Sequence, residues 1–348
     1  MKNFKFLNND SNVWSKVNIK NGYLWHTKQI DSLKVQQIKS ILYKNKDINI
    51  KLCKKLLFNL NCHFGLIIKY NNIIFAATDV ARTYPVFFSE EFNSVLISPQ
   101  AKIIAQSKGF EINKEQLLAY QMSGYTSGSE TLWENISGLL AGQFLLIDKK
   151  LSINSYYNTL SKNNINKKSF NVEKKLEENI FEMLKRIILK ANNRNIVVPL
   201  SSGLDSRLIA SGLKYLNYKN VKCFSYGLKN NYEATVAKDI AKKLDYKWDF
   251  IEISQKNIKT FYDSKLYKNY FSNGIDGCAT PGIQDIYTIY KLKKKNYFSD
   301  SDIIINGNSG DYISGGHLPA EAKIWSKESN IINAHNFRQK MQPHTRGG

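Results

Sequence analysis

The sequence lacks the signatures of several protein classes. No run approaches the roughly 20 apolar residues that a membrane span needs, and the first residues are polar, so we expect a cytoplasmic protein with no membrane partner. Cysteine is scarce, and its four positions lie far apart, which excludes a zinc site built from closely spaced pairs. We expect buried thiols rather than disulfides at Cys53, Cys62, Cys223 and Cys278.

Acidic residues are also few. Against 50 lysines and arginines there are 29 aspartates and glutamates, which gives a formal net charge of +21. Such an excess is typical of proteins that bind nucleic acids or anionic membranes. Here the lysines are spread along the whole chain, arginines are few, and asparagine and isoleucine are abundant too. Codon usage in an A- and T-rich genome explains these enrichments together, so we expect no nucleic-acid partner.

The chain is long enough for two domains, with 348 residues of which 43% are apolar. The polar stretch 161–169 has no apolar period and predicts a linker between a first domain (1–165) and a second (170–348). Apolar runs and turn residues in the first domain predict an α+β antiparallel sandwich. Its predicted strands are 64–70, 73–78, 86–89, 95–98, 143–148 and 151–156, and its predicted helices are 100–107 and 114–123.

Helices and short apolar strands alternate in the second domain, which predicts an α/β fold with a parallel sheet. In order, the predicted elements are helix 172–190, strand 196–200, helix 206–216, strand 221–226, helix 232–244, strand 248–253 and strand 303–305. Ligands of such sheets bind beyond the carboxyl ends of the strands. Three polar or small-residue segments follow those ends: 201–206, 225–227 and 306–311.

The segment 195–216 is the most informative. A short apolar strand ends in the small residues 201–203, and a helix then begins near Asp205 and Ser206. Small residues allow backbone amides to approach a ligand, and a helix N-terminus favours an anion. The loop is neither a Walker loop nor a Gly-x-Gly-x-x-Gly loop. We interpret it as a site for the phosphates of a nucleotide, with Asp205 holding the accompanying metal; an ordinary capped turn is the alternative.

Two motifs carry a resemblance to a known family. The loop resembles the pyrophosphate-binding sequence Ser-Gly-Gly-x-Asp-Ser of enzymes that cleave ATP between its α and β phosphates, with Ser202 in place of one glycine. Segment 306–316, Asn-Gly-Asn-Ser-Gly-Asp-Tyr-Ile-Ser-Gly-Gly, resembles the Gly-Glu-Gly-x-Asp-Glu motif of the asparagine synthetase family. Segments 75–88, 97–102 and 124–142 resemble further stretches of that family, so the resemblance covers most of the chain.

This resemblance implies a fold and an activity. The first domain would be a class II glutamine amidotransferase-like domain of Ntn type, and the second a parallel sheet of adenine nucleotide alpha hydrolase type. The implied enzyme uses ATP and Mg²⁺ to adenylate a small-molecule carboxylate, and then transfers an amine or ammonia with release of AMP and pyrophosphate. The implied catalytic residues are Asp205, Asp311 and Asn308, and Asp205 and Asp311 would share the metal. The implied ATP-binding residues are Leu200, Ser201, Ser202, Gly203, Asp205, Ser206, Tyr226, Asn306 and Gly307.

The chain also departs from the family pattern. Lys2 stands where glutamine-hydrolysing members carry a nucleophilic cysteine, so we expect no glutaminase activity. Asn308 and Tyr312 replace two glutamates of the acidic motif, and Asn308 cannot act as a base. About thirty residues follow Gly316, so no catalytic lysine is assigned. We expect an incomplete C-terminus whose apolar surface calls for a second copy of the chain or a partner protein.

Other interpretations stay open at this point. A tRNA-modifying enzyme with the same phosphate loop would explain the positive charge. An inactive nucleotide-binding scaffold would explain Asn308 and the short C-terminus. For an active ligase, the altered acidic motif suggests a uronic-acid sugar carboxylate amidated in polysaccharide synthesis, with asparagine biosynthesis as the other choice. At individual positions, Asp311 as a turn residue and Tyr226 as sheet packing are the alternatives.

Overall fold

The computed structural model describes residues 3–308 and 310, except 9, 46, 47, 93 and 158–170. By its internal contacts the chain divides into two compact units, Met1–Ile165 with Lys265–Pro281, and Asn166–Ser264 with Gly282–Gly348. Segment 265–281 therefore groups with the first unit, although it lies within the range predicted for the second domain. The predicted linker 161–169 lies outside the described residues.

The helices and strands follow each other along the chain as listed here. Up to residue 157 they are β1 (Asn3–Phe6), β2 (Trp14–Ile19), β3 (Gly22–Thr27), α1 (Ser32–Lys44), α2 (Ile50–Leu60), β4 (Gly65–Tyr70), β5 (Ile73–Thr78), β6 (Phe87–Glu90), β7 (Ser94–Ser98), α3 (Ala101–Lys108), α4 (Lys114–Ser123), β8 (Ser137–Gly138), β9 (Gln143–Ile147) and β10 (Leu151–Ser155). From residue 171 they are α5 (Val172–Ala191), β11 (Ile196–Pro199), α6 (Leu204–Tyr215), β12 (Val221–Gly227), α7 (Tyr232–Lys243), β13 (Lys247–Glu252), α8 (Gln255–Tyr262), α9 (Lys265–Gly274), α10 (Ile286–Lys294) and β14 (Ile303–Ile304). None of the helices in the described part is long and apolar enough to cross a lipid bilayer.

The first unit contains two β-sheets packed face to face. The larger sheet is antiparallel throughout, in the order β10-β9-β5-β4-β3-β2. The smaller sheet has the order β1-β7-β6-β8, and its strands are antiparallel except that β1 runs parallel to β7. The predicted antiparallel sandwich is therefore confirmed for the larger sheet, whereas the smaller sheet is mixed.

Successive side chains of β4 point to opposite faces of the larger sheet, and this explains how the layers of the first unit form. Leu66 and Ile68 are buried in a cluster with α1 and α2, whereas Ile67 between them is buried in a second cluster with the smaller sheet. This is the period of two that a strand buried on both faces requires. On its other face, the smaller sheet packs through Phe87 against Ile104 of α3. The first unit thus has four layers: helix, sheet, sheet and helix.

The second unit is built on a parallel sheet in the order β13-β12-β11-β14, as predicted for an α/β fold. Its main core joins Val198 of β11 to Leu184 of α5 and Leu213 of α6, all fully buried. Since all four strands run the same way, their carboxyl ends meet at one edge of the sheet. That edge carries the loops after β11, β12 and β14.

Candidate functional site

The loop after β11 begins from a fixed backbone position. The Leu200 N–H donates to the Phe224 carbonyl at 2.8 Å, and the Leu200 carbonyl accepts from Ser225 Oγ at 2.6 Å. Ser225 Oγ in turn accepts from Trp248 Nε1 at 3.0 Å. This connected network links the loop to β12 and β13, so its first residue has little freedom to move.

Serine hydroxyls and one arginine hold the rest of the loop. Ser206 Oγ accepts from the Ser201 N–H at 3.1 Å, and Ser201 Oγ accepts from the Gly203 N–H at 3.1 Å. Arg207 Nη2 donates to the Ser202 carbonyl at 2.7 Å. Arg207 therefore braces the loop through the Ser202 carbonyl.

The N-terminus of α6 has no side-chain cap. Its N-cap residue is Gly203, whereas a side chain of Asp, Asn or Ser accepts a backbone N–H at the start of α1, α2, α4, α5, α7 and α8. The first amides of a helix carry a partial positive charge and need acceptors. An anion at the start of α6 would supply them.

Two glycines bring the loop after β14 against this helix end. A Cβ atom on Gly307 would lie 2.7 Å from the Ser206 amide nitrogen and 2.8 Å from the Asp205 carbonyl carbon. A Cβ atom on Gly310 would overlap the Asp205 carboxylate, and the Gly310 N–H donates to the Gly307 carbonyl at 2.9 Å. The backbone contacts at Gly307 leave no room for a side chain, whereas at Gly310 the flexible Asp205 carboxylate would have to move aside.

Between these loops lies a cavity of about 620 Å³. The structure brings most of the predicted nucleotide-site residues to its wall: Leu200, Ser201, Gly203, Asp205, Ser206, Tyr226, Asn306, Gly307 and Asn308. Ser202 is in the same loop but does not line the cavity, and Asp311 lies outside the described residues. Within the described ranges, no three His, Cys, Asp or Glu residues cluster as metal ligands.

Sequence reasoning missed part of this wall. Glu233, Gln284 and Asp285 line the cavity, and Asp285 Oδ1 accepts from the Tyr226 hydroxyl at 2.6 Å. Burial, and then the hydrogen bond to the Asp285 carboxylate, raise the pKa of Tyr226 well above its usual range, so the phenol stays a neutral donor. No motif surrounds residues 284–285 in the sequence. Only the fold places these two residues in the cavity wall.

The charge on the wall is negative. The carboxylates of Asp205, Glu233 and Asp285 line the cavity, and no lysine or arginine does so among the residues the structure describes. A polyphosphate bound here would have to be balanced by backbone amides and by a cation. Carboxylate oxygens are ligands that Mg²⁺ prefers, so Asp205 beside the helix end suits such a cation.

Some solved structures resemble the chain weakly. An NH3-dependent NAD synthetase from Campylobacter jejuni is 17% identical with a TM-score of 0.28, covering 41% of this chain and 59% of its own. A glutamine phosphoribosylpyrophosphate amidotransferase from B. subtilis is 12% identical with a TM-score of 0.25, covering 70% and 51%. A glutamine-dependent NAD+ synthetase from Acinetobacter baumannii is 11% identical with a TM-score of 0.27, covering 83% and 73%. The chain thus spans little more than half of the first two, and scores this low establish no shared fold.

Sequence comparison is more informative for the second part of the chain. No curated protein matches the sequence significantly. A family model described as Asparagine synthase does match, over residues 190–346. The match contains the loop after β11 and the loop after β14 that form the cavity, and it confirms the resemblance drawn from their motifs. In its second part, this chain carries a domain of the asparagine synthase family.

Proposed function

We propose that this chain is an ATP-dependent ligase that joins an amine to a carboxylate and forms an amide. One observation carries the proposal: the helix end without a side-chain cap, the Asp205 carboxylate and Gly307 of the loop after β14 converge on one cavity. A family match over the same residues supports it. The adenine nucleotide alpha hydrolase type predicted for this sheet is part of the proposal.

The residues present fit the groups that the reaction needs. The amides at the start of α6, with Ser201 beside them, would bind the β and γ phosphates, while Asp205 and Asp311 would hold Mg²⁺. When bound, Mg²⁺ supplies positive charge that stabilises the departing pyrophosphate. Asn308 lines the cavity as a hydrogen-bonding residue that cannot take up a proton.

The reaction divides into two displacements. A carboxylate oxygen of the substrate attacks the α phosphorus of ATP, the bond to the bridging oxygen breaks, and pyrophosphate leaves with its electron pair. A neutral amine then attacks the acyl carbon, AMP leaves, and the nitrogen loses a proton to solvent. Positioning and electrostatic stabilisation account for most of the rate enhancement in such a scheme.

We further propose that the first unit does not hydrolyse glutamine, although its layers are those expected of an Ntn-type domain. Cys53 lies inside α2, fully buried, and burial raises the pKa of its thiol to about 12. A protonated thiol is a weak nucleophile. Cys62 packs against the same apolar cluster. Free ammonia or an amine substrate would then supply the nitrogen.

Pyrophosphate release from Mg-ATP tests the proposal, with aspartate, uronic acids and tRNA as candidate acceptors and ammonium present. Asp205→Asn should lower the rate at least about a hundredfold, because metal-held charge is worth several kcal/mol in the transition state. Asp239→Asn, on an exposed position of α7, is the matched control and should keep the rate. Equal rates for the two variants would contradict the assigned role of Asp205.

The acceptor arms separate the alternatives. Pyrophosphate release with a uronic acid or with aspartate would identify the carboxylate substrate. Pyrophosphate release that depends on tRNA would favour a tRNA-modifying enzyme. ATP binding without turnover on any acceptor favours a scaffold. Glutamine should not replace ammonium as the nitrogen donor. If the purified protein forms glutamate from glutamine, the proposal that the first unit does not hydrolyse glutamine is wrong. The cytoplasmic location and a partner protein or second copy remain predictions.

A further inference from the structure

A groove lies between α5 and α6 in the second unit. Its volume is about 510 Å³, and it shares no lining residue with the cavity at the carboxyl ends of the strands. The rings of Phe181 and Tyr215 are in contact at one part of its wall, with centroids 5.2 Å apart. The apolar side chains that line the groove are Leu176, Ile180, Phe181 and Leu184 of α5, and Leu208 and Tyr215 of α6.

The two helices leave much of this apolar surface uncovered. Among the described side chains of α5, which is 20 residues long, only Leu184 and Ala191 are buried. Leu176 of α5 is exposed, and on α6 Leu208 is 44% and Tyr215 is 72% exposed. Apolar side chains in water cost free energy, and contiguous exposed patches of them are typical of interaction sites. The groove therefore has the character of a docking surface.

The charge of the groove is opposite in sign to that of the chain. Glu173 and Glu177 line it, and no lysine or arginine does so among the described residues, although the net charge of the chain is +21. Elsewhere on α5 Glu182 pairs with Lys185 at 3.4 Å. In the part of the chain that the structure describes, Glu173 and Glu177 pair with no cation. Charges more than about 8 Å away are largely screened at physiological ionic strength, so these two glutamates set the charge that an occupant meets.

We propose that this groove binds an amphipathic helix of a partner protein, whose apolar face fills the groove and whose lysines or arginines flank that face. The lining of α5 runs from Glu173 to Leu184, which is about 16 Å or three turns of helix. Three turns of a partner helix match that length and supply apolar anchors at i, i+3 or i+4, and i+7. An acidic helix would place like charges beside Glu173 and Glu177, which costs free energy. A second copy of the chain, bound with twofold symmetry through the groove, would bring the same two glutamates together in the same way.

The test uses the full chain and two labelled helical peptides of about four turns, one of leucine and lysine, the other with glutamate in place of each lysine. Fluorescence anisotropy should show that the wild type binds the lysine peptide at least about tenfold more tightly than the glutamate peptide. The double change Glu173→Lys with Glu177→Lys should invert this preference, because the lining then repels the lysine peptide. Glu182→Lys, on an exposed position of α5 outside the groove, is the matched control and should keep the wild-type preference.

Several results would overturn the inference. Equal wild-type affinity for the two peptides would do so, and so would binding of neither peptide. A double variant that keeps the wild-type preference would show that the peptide binds elsewhere. A wild-type dimer in sedimentation equilibrium that the double change dissociates would place a second copy in the groove and refute the partner. Should the double variant not fold, Leu208→Gln removes one apolar anchor, and unchanged affinity for the lysine peptide in that variant refutes the proposal.

Discussion

Gly307 offers a direct test of the geometry that forms the cavity. In the change Gly307→Ala, the new Cβ would lie 2.7 Å from the Ser206 amide nitrogen, about 0.7 Å inside the 3.4 Å of an ordinary contact. Its neighbours there are the Ser206 amide nitrogen and the carbonyl carbon and Cβ of Asp205, which cannot rotate away as the end of a side chain can. The loop after β14 and the start of α6 must therefore separate.

The size of the effect follows from that overlap. Overpacking of a close contact costs about 1–3 kcal/mol of unfolding free energy. A displacement near 1 Å of the groups that position a substrate costs roughly a hundredfold in rate. We therefore expect Gly307→Ala to lower the unfolding free energy by about 1–3 kcal/mol. The kcat/KM for ATP in pyrophosphate release should fall by about a hundredfold.

The assays are urea unfolding followed by circular dichroism, and pyrophosphate release at several ATP concentrations. Gly282→Ala is the matched control, since apart from its chain neighbours no heavy atom of the described residues would lie within 4 Å of a Cβ there. This control should keep wild-type stability and rate. A Gly307→Ala variant that is as stable and as active as Gly282→Ala would refute the close packing of the two loops.

Two further predictions concern the second unit and the buried thiols. Ser225→Ala leaves the Leu200 carbonyl without its buried donor, and it should lower the unfolding free energy by about 1–3 kcal/mol in urea unfolding. The control is Ser211→Ala, whose hydroxyl bonds within α6 and whose loss should cost less than about 0.5 kcal/mol. Equal losses in the two variants would contradict the role of Ser225 in holding the start of the loop after β11. Burial raises the pKa of Cys53 and Cys223 from 9.0 to about 12, so their stabilising contribution is full below pH 9 and is lost as the pH rises toward 12. Urea unfolding between pH 8 and 11 should show the unfolding free energy falling above about pH 9. If the buried thiols cause this fall, it should be smaller in Cys53→Ala than in the wild type.

Much of the second unit could be predicted from local sequence. The apolar run 196–200 and the small residues after it predicted β11 and the loop, and the observed α6 begins at Leu204, two residues before the expected start. The helical period and the polar turn residues are encoded within a few neighbours. For that reason the loop after β11 could be located from local sequence alone.

The first sixty residues carry a helix signal of the same local kind. Val35, Ile38 and Leu42 are spaced at the helical period and are buried in α1, and Asp31 caps that helix by accepting from the Lys34 N–H. The same rules would therefore have predicted this helix. The parallel pairing of β1 with β7 has no such signal, because it joins strands about ninety residues apart.

By itself the sequence determined most elements between residues 64 and 156, the alternating helices and strands of 172–253, and the residues of the loop after β11, since these depend on local spacing and on turn residues. The tertiary structure alone decided that β14 lies beside β11, which sets Gly307 against Asp205, and that Asp285 meets Tyr226 from 59 residues away. Periodicity fixes which face of an element is apolar, but it carries no information on which strands become neighbours. The wall of the cavity opposite the loop after β11 therefore follows from packing and not from any motif.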